Sequence, residues 1–119
     1  MTIAQLHGIG SLVTALAIAA FGLAMVTIAI LDRFTELMPR LRAALLVVIG
    51  LQVVLGAITW LSGGRPAQDL HLLYGGAILV LLPLAGSFVE EAPLRDRAVV
   101  FAIAAVVGLL LVWRLLVTG

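Results

Sequence analysis

Four long apolar runs, separated by short polar segments, dominate the sequence. The runs cover about residues 8–31, 43–62, 70–89 and 98–117. At about 1.5 Å per helical residue, each run is long enough to cross the roughly 30 Å hydrocarbon core of a bilayer. The pattern predicts an all-α membrane protein, and the short links predict an up-down antiparallel bundle of four transmembrane helices. We expect a single domain over residues 1–119.

Prolines and one acidic residue mark predicted helix starts and one predicted bend. Pro39 fits the first turn of the second helix. Either Pro66, as a first-turn proline, or Asp69, as an N-cap, would start the third. Pro83 lies inside the third run, so it should bend that helix and free a backbone carbonyl near Leu79.

Composition supports a membrane location and excludes several kinds of chemistry. Hydrophobic residues make up 64% of the chain and charged residues 11%, whereas about a quarter of residues are charged in soluble domains. The sequence has no cysteine, which excludes disulfides, thiolate nucleophiles and iron–sulfur clusters. No basic patch or aromatic-interleaved run indicates a nucleic-acid partner. Membrane lipid is therefore the expected surrounding.

The distribution of arginine predicts the orientation. The links 32–42 and 90–97 together hold five arginines, whereas the opposite side of the membrane holds Arg65 and Arg114. The positive-inside rule then places both termini outside the cytoplasm. The first run is too long for a cleaved signal peptide, so we expect it to remain as a span. The expected location is the inner (plasma) membrane of a prokaryotic cell.

The two histidines of the chain occupy matched positions. His7 opens the first run, in QLHGIGSLVTAL, and His71 lies about one turn inside the stretch 68–86, QDLHLLYGGAILVLLPLAG. Two passes through the bilayer return the chain to the same side, so spans one and three both start there. We therefore expect both imidazoles at one depth in the outer leaflet, where neighbouring helices direct them inward.

Small and polar residues follow these histidines at helical spacing and also form a stripe on the second span. They are Gly10, Ser11 and Thr14 after His7, Gly75 after His71, and Gln52, Gly56 and Thr59 on the second span. Such faces either let helices approach closely or leave room for something flat between them. The first alternative, a packing seam, is the common one, and Ala104 with Gly108 on the fourth span is interpreted as a seam.

Two imidazoles facing each other across such a space suit a six-coordinate haem iron. His7 and His71 are the predicted iron ligands of one haem b per chain. Gln52, Thr59 or Ser11 would orient an imidazole by hydrogen bonding to its second nitrogen. The alternative is that His7 is only a polar residue at headgroup level.

Residues near the predicted membrane surface admit two interpretations. Arg65 and Trp60 are placed to bind haem propionates. Arg65 equally fits a lipid phosphate or an ion pair with Asp69. Tyr74 fits an interfacial anchor, and Arg114 is near enough to its helix end to reach the headgroups.

The stretch LQVVLGAITWLSGGRPAQDLHLLYGGAILVLLPLAG, within residues 42–86, resembles one half of the haem A synthase family. Each half of that family is a four-helix bundle in which a histidine opens one helix, an LQ-x-x-LG-x-T helix follows, and a second histidine opens a later helix. The interval between His7 and His71 is also similar, and the resemblance covers roughly residues 4–89. It implies that the two histidines are the axial ligands of one haem on the outer side.

Departures from the family change the function that the resemblance implies. The family's catalytic half has a carboxylate three residues before its first histidine, where this chain has Ala4, and its extracytoplasmic cysteine pair has no counterpart here. The chain is also about half the usual length. It is more similar to the non-catalytic half, which keeps a b-type haem, so no catalytic residue is assigned.

Three functions remain in competition. The first is a small b-type cytochrome subunit, which transfers electrons or holds a structural haem in a larger membrane complex or homo-oligomer, with a quinone or cytochrome as redox partner. The second is a cofactor-free structural subunit. The third is a half-size haem A synthase-like enzyme. A proton-coupled transporter is disfavoured, since none of the six acidic residues lies within a span.

Overall fold

Four helices form the bundle in a computed structural model, which describes residues 1–65 and 69–118. They are α1 (Ile3–Leu31), α2 (Met38–Leu61), α3 (Leu70–Phe88) and α4 (Leu94–Thr118). A single 3₁₀ turn, Thr35–Leu37, precedes α2, and the described residues contain no strand. All four helices are long and apolar enough to cross a membrane. The predicted all-α membrane protein with a four-helix bundle is therefore confirmed.

Three of the helices begin before the apolar runs that predicted them. Helix α1 begins at Ile3 because Thr2 and Gln5 form a capping box, in which the Thr2 hydroxyl accepts from the Gln5 amide (3.1 Å) and the Gln5 side chain accepts from the Thr2 amide (2.8 Å). Helix α2 begins at Met38 with Pro39 in its first turn, as predicted. Hydropathy marks the length exposed to lipid, whereas capping chemistry decides where a helix starts.

Helix α3 begins at Leu70, so His71 is its second residue and lies in the first turn itself. Asp69 occupies the N-cap position, but its side chain makes no capping hydrogen bond. The alternative start, Pro66, lies outside the described residues. Helix α3 continues through Pro83, which lies in its interior.

The order in which the helices pack sets up the candidate site. Helix α1 packs closely against α2 and α4, and α3 packs closely against α4, whereas α2 and α3 touch much less. Helices α1 and α3 are therefore diagonal rather than adjacent, and both run in the same direction. Residues near the N-termini of α1 and α3 consequently face each other across the bundle axis.

A seam of small residues joins α1 to α4. A methyl group added at Gly22 would lie 2.9 Å from the Ala105 side chain, and one added at Gly108 would lie 3.4 Å from Ile18. Ala104, Ala105 and Gly108 are all buried. Ala104 and Gly108 were predicted to form a packing seam, and both are buried in the bundle. Small residues of this kind let helices approach closely.

Replacing Gly22 with leucine should weaken the bundle. The new side chain would collide with Ala105, and overpacking of this kind costs about 1–3 kcal/mol. We expect a lower midpoint of thermal unfolding in detergent. Gly50→Leu is the matched control, since a Cβ built at Gly50 points into open space and meets no other part of the bundle within 4 Å. An equal loss in both variants would contradict the seam.

Large apolar side chains cover the outside of the bundle. Leu16 and Leu23 in the middle of α1 are 72% and 70% exposed, and Ile103 and Val106 in α4 are each 60% exposed. The molecule is 47 Å along its longest axis, which exceeds the hydrocarbon thickness of a bilayer. An apolar surface of this length is what lipid contact requires.

Arginine side chains satisfy carbonyl groups at the end of the bundle opposite the histidines. Arg95 donates from Nε to the carbonyl of Ala29 (2.8 Å), within the last turn of α1, and Arg97 donates from Nε to Ala92 (2.8 Å). The guanidinium of Arg42 lies over the Phe101 ring, 5.6 Å from its centroid. Cations close to helix C-termini are stabilised by the helix dipole.

Candidate functional site

The structure brings the two histidines together. The ring centroids of His7 and His71 are 6.3 Å apart, and the ring planes are inclined by 74°. The two residues come from the diagonal helices α1 and α3, and both side chains are half-buried. The two histidines were expected at the same depth because two membrane crossings separate them. The structure also places their rings close to each other.

The Nδ1 atom of His71 is held by the last turn of α4. It lies 3.1 Å from the main-chain carbonyl oxygen of Leu115 and 3.4 Å from the hydroxyl oxygen of Thr118. A carbonyl only accepts hydrogen bonds, so Nδ1 of the neutral His71 ring carries the proton and donates it. The Thr118 hydroxyl uses its own hydrogen on the carbonyl of Arg114 (2.7 Å) and thus faces Nδ1 as a second acceptor.

The Nδ1 atom of His7 has a different neighbour, the side-chain amide nitrogen of Gln52 at 3.1 Å. The same nitrogen lies 2.7 Å from the main-chain oxygen of His7 and 2.8 Å from the hydroxyl of Ser11. Ser11 in turn donates to the carbonyl of His7 (3.0 Å). Of the three residues predicted to orient an imidazole, Gln52 therefore contacts the ring, Ser11 supports Gln52, and Thr59 instead donates to the carbonyl of Leu55 (2.8 Å).

Two glycines make room for this arrangement. A Cβ atom at Gly56 would lie 2.9 Å from Cε1 of His7, so the imidazole rests directly on the backbone of α2. A Cβ atom at Gly10 would overlap the amide group of Gln52. The glycines thus allow α1 and α2 to approach closely enough for His7 and Gln52 to pack without displacement.

A cavity of about 480 Å³ surrounds the two imidazoles. This is within the range of about 300–1,000 Å³ that is typical of ligand and cofactor sites. All four helices and the segment after α2 contribute to its lining. Helix α1 provides Ala4, His7, Ser11 and Thr14, and α2 provides Ile49, Gln52, Val53, Gly56, Ala57, Thr59 and Trp60, followed by Gly64 and Arg65. Helix α3 provides His71, Leu72, Gly75, Gly76, Ile78 and Leu79, and α4 provides Val112 and Leu115. The walls are mainly apolar, and the polar groups are concentrated around the histidines.

The cavity includes every site residue predicted from the sequence except Gly10. Gly10 lies behind the wall, because Gln52 covers it. Arg65 and Trp60, predicted at the rim, both border the cavity. Thr14 is 4% exposed and donates to the carbonyl of Gly10 (2.8 Å), so its hydroxyl is already satisfied.

The contribution of α4 to the site was not predicted from the sequence. Leu115 acts through its main-chain carbonyl, which no side-chain pattern reveals. Thr118 is fully buried, and a polar residue at the end of an apolar span was its only signal. Arg114 packs on the Tyr74 ring, 5.4 Å from its centroid, and its Nη2 donates to the Tyr74 hydroxyl (3.3 Å). Arg114 and Tyr74 thus bind each other near His71, a contact that was not predicted; the predicted headgroup contacts of both residues stay predictions.

The number of protein ligands restricts the metal chemistry of the site. Within the described residues, no group of three or more His, Asp or Glu side chains could hold a metal ion. Two imidazoles are too few for a structural zinc site, which takes four protein ligands. They would be sufficient for a metal that a cofactor already holds, such as the iron of a porphyrin.

Comparisons with known proteins leave the function to be argued from this geometry. No protein-family model, curated protein or solved structure matches the chain.

Proposed function

We propose that this chain is a small membrane b-type cytochrome that holds one haem between His7 and His71. The observation that carries the proposal is the separation of the two imidazole rings, whose centroids are 6.3 Å apart within a cavity. The Nδ1 atom of each ring faces a neighbouring protein group. Nε2 is therefore the nitrogen of each ring that would bind a metal.

The ring separation fits two ligands on opposite sides of one metal ion. A metal–imidazole bond is about 2.0–2.1 Å long and the ring centroid lies about 1.15 Å beyond the nitrogen, so two imidazoles on opposite sides of one metal ion would hold their ring centroids about 6.3–6.5 Å apart. The 6.3 Å between His7 and His71 lies within this interval. Packed aromatic rings without a metal also lie this far apart, as Phe21 and Phe101 do at 6.3 Å. The separation therefore supports the proposal only together with the cavity around the two imidazoles.

The cavity around the rings fits a flat apolar group. Gly56 on α2 and Gly75 on α3 present no side chains to it, and Val112 and Leu115 on α4 form an apolar wall. At the edge, Arg65 is exposed and offers a guanidinium to carboxylates, while Trp60 offers an indole N–H. Haem has this division into an apolar macrocycle and two anionic propionates.

The protein groups perform three tasks in this proposal. His7 and His71 hold the iron, the partners of their Nδ1 atoms fix the ring orientations, and the surrounding apolar side chains exclude water. When bound, the haem supplies one-electron redox chemistry. Two protein ligands on the iron would favour electron transfer over oxygen chemistry.

The charge distribution supports an orientation in the membrane, and the proposed redox role implies a class of partner. We place the chain in the inner membrane of a prokaryotic cell with the haem near the outer surface, as supported by the arginine-rich links at the other end. Electron transfer would need a redox partner, and we propose a quinone or a cytochrome, within a larger membrane complex or a homo-oligomer. The resemblance to the non-catalytic half of haem A synthases supports the same function.

Optical spectra of the purified protein test the proposal. The full chain is expressed with a haem precursor, purified in mild detergent and measured in the oxidised and reduced states. We expect a low-spin b-type spectrum and one haem per chain in the pyridine haemochrome assay. Mass spectrometry of the extracted haem separates haem b from the haem A that an enzyme of the resembled family would produce.

Absence of a Soret band, both after expression and after reconstitution with haemin, would overturn the proposal. The chain would then be a structural subunit without a cofactor. In that case, replacing either histidine with alanine should leave assembly and spectra unchanged.

A further inference from the structure

The Nδ1 atoms of the two imidazoles face opposite kinds of hydrogen-bonding group. His71 faces the carbonyl oxygen of Leu115 at 3.1 Å, which is an acceptor, whereas His7 faces the amide nitrogen of Gln52 at 3.1 Å, which is a donor. Ligand histidines normally donate their second N–H to an acceptor, which fixes the tautomer and increases the basicity of the ligand. His71 has this arrangement and His7 does not.

The orientation of the Gln52 amide is fixed by its other contacts. The main-chain oxygen of His7, 2.7 Å away, can only accept, so the atom facing it must be the amide nitrogen. Ser11 gives its hydrogen to that same carbonyl, so its oxygen, 2.8 Å from Gln52, is also an acceptor. The absence of a side chain at Gly10 leaves room for the Gln52 amide in this position.

The hydrogens of Gln52 are therefore committed to other acceptors. The amide nitrogen carries two hydrogens, which satisfy the His7 carbonyl and the Ser11 hydroxyl. A proton on Nδ1 of His7 would point at a nitrogen that cannot accept it. The neutral ring thus keeps its proton on Nε2, the atom that would have to bind a metal.

Helix α4 favours the other tautomer in His71, with the proton on Nδ1. Leu115 is among the last four residues of α4, whose carbonyls lack helical partners and lie at the negative end of the helix dipole. Such a carbonyl is a strong acceptor for the Nδ1 proton. The Nε2 atom of His71 is consequently free of hydrogen and ready to bind a metal before any metal arrives.

We propose that Gln52 makes the two ligands unequal, so that His71 is the permanent iron ligand and His7 the exchangeable one. The inference deepens the proposed cytochrome function and rests on it. Its consequence is that a small neutral molecule can replace His7 at the iron. The site would then combine electron transfer with reversible binding of a diatomic ligand on the α1 side.

The tautomers can be measured without any haem. Two-bond ¹H–¹⁵N correlation spectra of the haem-free, histidine-labelled chain in detergent, recorded in alkaline buffer where both imidazoles are neutral, report which nitrogen carries each proton. The chain has two histidines, so His7→Ala and His71→Ala assign the signals. We expect Nε2–H for His7 and Nδ1–H for His71; the same tautomer at both would overturn the inference.

Carbon monoxide probes exchange in the haem-loaded protein. We expect the reduced wild-type protein to bind it with a shift of the Soret band. In Gln52→Glu, the carboxylate would accept the Nδ1 proton of His7, so binding of carbon monoxide should weaken at least tenfold, while Gln52→Leu should lie between the two. A role of Gln52 in packing alone would instead lower haem content in both variants without changing the tautomer of His7.

The possible failures are distinguishable. Equal binding of carbon monoxide by wild type and Gln52→Glu, or no adduct in a protein with a Soret band, would overturn the inference and leave the cytochrome proposal standing. Absence of the Soret band would overturn the proposed function itself. Leu51→Ala, which alters an exposed neighbour of Gln52 on α2, is the control and should match wild type in both measurements.

Discussion

His71→Ala is expected to abolish stable haem binding, whereas His7→Ala should retain haem in a five-coordinate form. His71 offers Nε2 as a ready ligand because Leu115 holds its Nδ1 proton. Its loss removes the stronger of the two proposed iron ligands. We expect the haem content after purification to fall at least tenfold, which corresponds to about 1.4 kcal/mol or more of binding free energy.

In His7→Ala, the expected result is a change of spin state rather than loss of haem. The space left by the imidazole opens the iron on the α1 side, so the spectrum should become high-spin and added imidazole should restore the low-spin form. Leu73→Ala, in a lipid-facing residue on α3 that is 65% exposed, is the control and should behave as wild type. Equal haem loss in both histidine variants would contradict unequal ligands, and unchanged spectra in both would contradict haem binding.

The sequence was sufficient to predict the fold because membrane helices follow from a simple physical requirement. Within the bilayer core, backbone groups must be satisfied internally, so an uncharged apolar run of sufficient length forms a helix. Four such runs gave the number and direction of the helices. The bounds were less accurate, since α1 begins at Ile3 through the capping contacts of Thr2 and Gln5, which hydropathy does not detect.

The approach of the histidines was predictable from the direction of the chain. Helices separated by two crossings share a direction, so His7 and His71 had to lie near one surface. That α1 and α3 are diagonal was not predictable, because it depends on the seam between α1 and α4, where Gly22 meets Ala105. Several arrangements of four apolar helices satisfy the same hydropathy pattern.

The partners of the imidazoles were only half predictable. Gln52 could be named because it is a polar residue on an otherwise apolar helix. The carbonyl of Leu115 could not, because every residue has one, and only the packing of α4 against α3 selects it. The difference between the two ligands, on which their proposed roles depend, is therefore a property of the three-dimensional structure.

Gly56→Ala is expected to lower haem affinity about tenfold without weakening the bundle. The added methyl group would lie 2.9 Å from Cε1 of His7, which is closer than carbon atoms normally approach, so the imidazole must tilt away from α2. Alanine favours a helix over glycine by about 1 kcal/mol, so the helix itself should not be destabilised. Reduced affinity therefore reports displacement of His7 and not unfolding.

Gly50→Ala is the matched control for this substitution. Gly50 lies on the same helix, and a Cβ built there meets no other part of the bundle within 4 Å. Alanine at Gly50 therefore gives the helix the same gain in propensity without touching the site. Titration of haemin into both haem-free variants, together with thermal unfolding in detergent, compares the two effects. Equal haemin affinity in Gly56→Ala and Gly50→Ala would show that the His7 ring does not rest on α2. Because the methyl group acts on His7 alone, the residual spectrum of Gly56→Ala should move toward the high-spin form expected for His7→Ala.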